Sequence, residues 1–201
     1  HRLVLVHFNL RVFMTSLPDT AEPPLLECKG LEIGSFAIPP FAVGRGEVVQ
    51  LVFSENSFAA SNARDDLLRL LSVLEVDSPG QIRTRAKIAT ATPAVPFRRL
   101  SSLFRRQTLG YWLARSTEIA ESVAETQLVA ADLDPQMLIW HAAGNPRTAL
   151  GVLKSLNTNA EVLVFWTAGM CDPIGARQVI SLVFAQLQNR AAIYLGSPCD
   201  R

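Results

Sequence analysis

Gly44-Arg45-Gly46-Glu47-Val48-Val49-Gln50-Leu51-Val52-Phe53 joins a glycine-bearing turn to a nearly unbroken apolar run. A strand buried on both faces reads this way, because neither face has to meet water. A polar loop is expected at Ser54 to Asn62. A helix is expected from Ala63 to Leu74, where Leu67, Leu68, Leu70, Leu71 and Leu74 recur at helical spacing.

Working outward, Leu25 to Ile33 reads as a strand with partial alternation, and Phe36-Ala37-Ile38 as a second one stopped by Pro39-Pro40. Residues 77–100 hold Pro79-Gly80, Pro93 and Pro96, which predict short strands and loops. Leu109 to Ala131 is helical in pattern until Asp132-Leu133-Asp134-Pro135 breaks it. Pro146 opens a helix running to Leu156, as suits a proline in a first turn. Val162 to Trp166 and Ala191 to Leu195 are two more buried strands, flanking an amphipathic helix from Gly175 to Asn189. Strands alternating with helices imply an α/β fold with a mainly parallel sheet covered by helices. No internal repeat or low-complexity segment interrupts it.

Composition narrows the function classes. The 201 residues are 49% hydrophobic and 18% charged, enough for one domain with a real core and too apolar for a disordered chain. A formal net charge of +1 gives no pull towards nucleic acid, and none is expected as a partner. The local basic run of Arg83, Arg85, Lys87, Arg98, Arg99, Arg105 and Arg106 reads as a solvated face. Cys28, Cys171 and Cys199 are odd in number and widely spaced, so neither a disulfide framework nor zinc is indicated. A reducing cytosol is the expected compartment. No apolar run reaches the ~20 residues of a membrane helix. Residues 1–24 are expected to be a flexible leader, with residues 1–13 an upstream extension and a natural start at Met14. Residues 25–201 are expected to form a single domain with a helical subregion at about 97–145.

Several fragments together resemble the ATP-binding domain of ABC transporters. Leu25-Leu26-Glu27-Cys28-Lys29-Gly30-Leu31 is similar to the family's opening "LLEVKGL", and Gly46 to Val52 to "GEVVALV", the strand before the phosphate loop. Leu67-Leu68-Arg69-Leu70-Leu71-Ser72 is similar to "LLRLLSG" in the helix after it. Ala130-Ala131-Asp132-Leu133-Asp134-Pro135 resembles the "LGLDP" segment, and Thr148 to Leu156 sits where the signature helix ends in "VALARAL". Ala160 to Phe165 resembles the Walker B strand "PEVLLLD", and Asp172-Pro173-Ile174-Gly175-Ala176 the D-loop "LDPIGA". The likeness runs over about residues 25–200. It implies a P-loop NTPase fold with a small antiparallel N-terminal β portion and a helical insert.

The same resemblance implies a chemistry that these residues answer poorly. A phosphate loop needs glycines whose amides converge on phosphate, a lysine, and a hydroxyl for magnesium. Aligned back from Leu67-Leu68, the lysine position falls on Arg64 and the hydroxyl positions on Asp65 and Asp66. Residues 54–66 hold no glycine. Asp65 and Asp66 are expected in the first turn of the helix, where they suit its dipole and oppose phosphate. At the Walker B carboxylates stand Phe165-Trp166-Thr167-Ala168, and no acid lies between Glu161 and Asp172. Trp166 reads as packing.

The signature stretch is Ala142-Ala143-Gly144-Asn145-Pro146-Arg147, in which Gly144 alone keeps the glycine pattern, the serine is missing, and Arg147 completes the degenerate nucleotide positions. The switch histidine is replaced within Gly196-Ser197-Pro198-Cys199, and no glutamine loop is identifiable near Leu100 to Phe104. Asp172 and Pro173 keep the D-loop pattern, which lies at the dimer interface in the family, although Asp-Pro also starts helices well.

His141, Cys171, Asp172 and Ser197 supply nucleophile and base types without a nucleophile-elbow motif. Trp112, Trp140 and Trp166 read as core or interface aromatics.

The expectation is a degenerate ATP-binding-like subunit with no intact catalytic residue, no metal site, and ATP–magnesium binding weak or absent. It would be the structural or regulatory partner of an ABC ATPase subunit, as a homo- or heterodimer, or of a membrane permease through residues 97–125. Its place would be the cytoplasm, peripheral at a membrane's inner face. The alternatives are a genuine ATP-binding subunit with divergent motifs, and a stand-alone ligand- or protein-binding module on the same fold.

Overall fold

The structure, a computed structural model, describes residues 2–7, 22–53, 58–76, 80–97, 106–167 and 173–196. Its strands are β1 (Arg2–His7), β2 (Leu26–Cys28), β3 (Leu31–Ile33), β4 (Phe36–Ile38), β5 (Phe41–Val43), β6 (Glu47–Val52), β7 (Ile82–Thr84), β8 (Ile88–Thr90), β9 (Val162–Trp166) and β10 (Ala191–Gly196). Its helices are α1 (Phe58–Ser72), α2 (Leu109–Thr117), α3 (Glu121–Ala130), α4 (Gly144–Leu156) and α5 (Pro173–Gln186). The chain divides into two compact units, one of His1–Thr90, Asn159–Trp166 and Phe184–Arg201, the other of Ala91–Thr158 and Thr167–Val183.

The three apolar runs are the centre of the first unit. Its main sheet has the order β1-β6-β10-β9-β8, and every pairing in it is parallel. Val49 faces Ile193, and Ile193 faces Val164 in the next pair. All six residues of β10 are buried, which accounts for a run with no polar alternation. Antiparallel strands complete the unit, as the order β5-β2-β7 and as the hairpin β3–β4.

Two local readings change. Leu25 to Ile33 is not one strand: it divides at Gly30, whose φ of 105° a side chain would resist, so β2 and β3 enter different sheets. Ile33 pairs with Phe36, leaving Gly34-Ser35 as a two-residue turn with Gly34 at φ 58°. Arg2–His7, placed by sequence in a leader, pairs along its whole length with β6.

α1 begins at Phe58, not Ala63. Its buried residues Ala60, Ala63, Arg64, Leu67, Leu68 and Leu71 recur at three and four, one stripe along the helix. Leu67 and Leu71 pack into a core with Val49, Leu51, Phe53, Val164 and Ile193.

The second unit is helical and runs wider than residues 97–145, taking in α4 and most of α5. Leu109, Trp112, Leu113, Leu128, Ile139, Leu150 and Leu153 form its core. The helix expected over Leu109 to Ala131 is two helices. The Thr108 side chain caps α2 by accepting from the Tyr111 amide, and Glu118 ends it in the left-handed region at φ 60°. Trp112 donates from Nε1 to the Val95 carbonyl at 2.9 Å and stacks on Phe97. Gln107, which sequence reasoning passed over, is buried and clamps Phe97 from both sides: its amide oxygen accepts from the Phe97 amide and its Nε2 donates to the Phe97 carbonyl.

Candidate functional site

In the first unit the candidate residues Arg64, Asp65 and Asp66 all lie inside α1. Arg64 is the seventh residue of the helix, nearly two turns from its start. The helix has no acidic residue in its first turn. This corrects the expectation that Asp65 and Asp66 stand at the positive end of a helix dipole. The physical reason is that Phe58-Ala59-Ala60-Ser61-Asn62 contains neither glycine nor proline, so nothing stops the helix from reaching back over the presumed loop.

The three side chains diverge. Arg64 is on the core-facing stripe, 8% exposed, with its guanidinium 6.0 Å from the Phe53 ring centroid. Its Nε is buried without a hydrogen-bond partner. Asp66 points to solvent and meets Arg69 one turn on, at 4.0 Å, an exposed pair of little energetic weight. Asp65 lies between them, half-buried, with Oδ1 unpartnered. One helix therefore spreads the three residues over different faces.

β9 ends in Phe165, Trp166 and then Thr167. Phe165 is fully buried and stacked on Tyr194 with ring centroids 4.9 Å apart. Trp166 packs against the core of this unit, and its indole Nε1 is buried without a partner. Among the described residues no group of three or more His, Cys, Asp or Glu side chains is placed to hold a metal ion.

In the second unit, Gly144 is the first residue of α4, and its carbonyl accepts from the Thr148 hydroxyl at 3.1 Å. Pro146 stands two residues further on, still in the first turn, where a missing amide hydrogen costs least. Arg147 turns back on its own unit. Its Nη2 donates to the Ile139 carbonyl at 3.3 Å, its own carbonyl accepts from the Ala94 amide, and its Nε is unpartnered. Pro173 is the first residue of α5, while Asp172, the stretch Leu100 to Phe104 and the stretch Ser197 to Cys199 lie outside the described residues. His141 is exposed in the turn before α4.

No protein-family model matches the chain, and no curated protein matches it. Solved structures do. A metal-chelate type ABC transporter in an inward-facing conformation superposes with a TM-score of 0.59 at 17% identity, covering 86% of this chain and 72% of that one. An ABC transporter ATP-binding protein from Pyrococcus furiosus gives 0.59 at 17% identity, covering 87% and 94%. The archaeal ribosome recycling factor aABCE1, solved with the ribosomal stalk protein aP1, gives 0.59 at 14% identity, covering 90% of this chain and 35% of that one. The chain thus spans about a third of the recycling factor's length. At such identities the likeness establishes architecture. The fold is α/β, the P-loop fold of ABC ATPases, with its parallel sheet, antiparallel N-terminal strands and helices. Among the described residues no helix is long and apolar enough to cross a membrane.

Proposed function

We propose that this chain is a non-hydrolysing ABC-ATPase-like domain, acting as a structural or regulatory partner in a transport complex. One observation carries the reading: Arg64, at the position of the phosphate-binding lysine, lies on the core-facing stripe of an unbroken helix. A lysine at the mouth of a phosphate loop works because its ammonium leaves the helix N-terminus for solvent-facing phosphate. The Arg64 guanidinium is buried instead, 6.0 Å from the centre of the Phe53 ring.

The residues present do not fit magnesium ATP. No glycine occurs between residues 54 and 66, so the close backbone approach that a pyrophosphate requires has no support. The end of β9 offers Phe165 and Trp166 where the metal's carboxylate and the water-polarising carboxylate are needed. The reading as a stand-alone ligand-binding module asks for open space beside Arg64, and the burial of Arg64 and Phe165 argues against it. Binding surfaces can outlast catalysis on one scaffold, because function lives in sites rather than in folds. On this reading the Pro173 turn of α5 contributes to contact with an ABC ATPase subunit, and the protein works in the cytoplasm at a membrane's inner face.

Calorimetric titration with magnesium ATP tests the loss of nucleotide chemistry. The expected result is no binding tighter than millimolar and no phosphate release; micromolar affinity would overturn it. Native mass spectrometry of the tagged chain drawn from its own cells tests the partnership. An ABC ATPase subunit or a permease in the recovered complex supports it, and a partnerless monomer sinks it.

A further inference from the structure

The second unit contains a cavity of about 250 Å³, below the ~300–1,000 Å³ of drug-sized pockets. The turn after α3, the first turns of α4, and α5 line it, and it opens to solvent. Leu133, Pro146, Ala149, Val179 and Leu182 supply apolar walls. Asp132 is the sole charged residue of the lining. Its carboxylate makes no hydrogen bond or ion pair among the described residues.

The backbone at Asp132 sharpens the point. α3 closes with the Leu133 amide donating to the Leu128 carbonyl at 2.9 Å and the Asp132 amide to the Val129 carbonyl at 3.0 Å. That closure places Asp132 in the left-handed region at φ 58°, the position where helices most often carry glycine. The fold would be served better by a residue without a side chain. Aspartate is one of the few side-chain-bearing residues that adopt this conformation, and here it sets an exposed carboxylate beside a cavity whose other lining residues are uncharged. Part of the lining is fixed by close packing: a Cβ on Gly175 would stand within 1.9 Å of Asn145 Nδ2, so α5 and the first turn of α4 meet without slack.

We propose that this cavity binds a small primary amine with an apolar body, the ammonium paired with Asp132 and the body against Ala149, Val179 and Leu182. The inference does not use Arg64 or the end of β9, on which the nucleotide reading rests, and every residue it uses lies in the second unit.

The test titrates the isotope-labelled full chain with 2-phenylethylamine and with its neutral counterpart 2-phenylethanol, following amide shifts. The amine should bind in the millimolar range or tighter, moving Leu133, Ala149 and Val179, with the alcohol about tenfold weaker. Asp132→Gly should raise the melting temperature by a few degrees while weakening the amine about tenfold. Asp132→Asn, which keeps a residue tolerant of this backbone, should weaken the amine equally. Equal affinity for amine and alcohol, shifts elsewhere, no shifts at all, or an unchanged amine affinity in both Asp132 variants would each overturn the proposal.

Discussion

The Arg64 guanidinium lies 6.0 Å from the centre of the Phe53 ring, and that ring is its only partner among the described residues. An arginine 8% exposed with no counter-ion among the described residues carries a desolvation cost of several kcal/mol. The ring's attraction returns about 0.5–2 kcal/mol of it.

Arg64→Leu should therefore stabilise the protein, by about 1–3 kcal/mol. Leucine continues the stripe of Leu67, Leu68 and Leu71 and leaves no buried charge. Urea denaturation of both proteins measures the difference. Destabilisation of similar size would mean that Arg64 has an anionic partner, and would weaken the case for a lost phosphate site.

Glycines in the second unit should rank by what stands over them. A Cβ on Gly151 would come within 2.0 Å of the Thr92 carbonyl oxygen, which is backbone and cannot turn aside. Gly151→Ala should cost about 3 kcal/mol or more, through displacement of the segment against α4. Gly175→Ala meets the Asn145 side chain first, which can turn aside, and should cost about 1–3 kcal/mol. Adding Asn145→Ala should restore part of the Gly175 loss, which a double-mutant cycle reads directly. Additive costs would contradict the contact.

Trp112 should be the most demanding side chain of the helical unit. Trp112→Phe removes the hydrogen bond to the Val95 carbonyl and should cost about 1–2 kcal/mol. Trp112→Ala also empties core volume beside Phe97 and Leu113 and should cost about 3–5 kcal/mol. Thermal unfolding of the two variants gives the order.

Burial pushes the Cys28 thiol up from its ordinary 9.0, against a smaller lowering by the Gly30 backbone. The thiolate is thus disfavoured in the folded state. The stabilising contribution is complete below the unfolded thiol's pKa and is lost as pH rises from 9.0 towards the higher folded value. Cys28→Ala should flatten the fall of stability above pH 9.0, measured by urea midpoints across alkaline pH. A parallel fall in both proteins would remove the claim. At neutral pH the buried thiol should resist disulfide reagents until the protein unfolds.

Much of this could be read directly. Unbroken or nearly unbroken apolar runs at Val48 to Phe53, Val162 to Trp166 and Ala191 to Leu195 announced strands buried on both faces, and they are the adjacent β6, β9 and β10. The direction of Arg64 was also legible in principle. Counting back three and four from Leu67 and Leu68 puts residues 63 and 64 on the same stripe as Ala60. Aligning residues by likeness to a phosphate loop hid that count, because a family pattern fixes position along the chain and not the face of a helix.

The sequence by itself determined the three buried strands of the main sheet, the alternation with helices that makes it parallel, and the lack of glycine between residues 54 and 66 and of an acid between Glu161 and Asp172. Those depend on residue type and on short-range periodicity. Only the tertiary structure decided that α1 starts at Phe58, that Arg2–His7 joins the main sheet, and that Arg64 faces Phe53 instead of solvent. The last two turn on contacts between residues far apart in the chain, and the helix start on which of several capping-type residues from Ser54 to Asn62 is used; burial against a shared core outweighs local preference there.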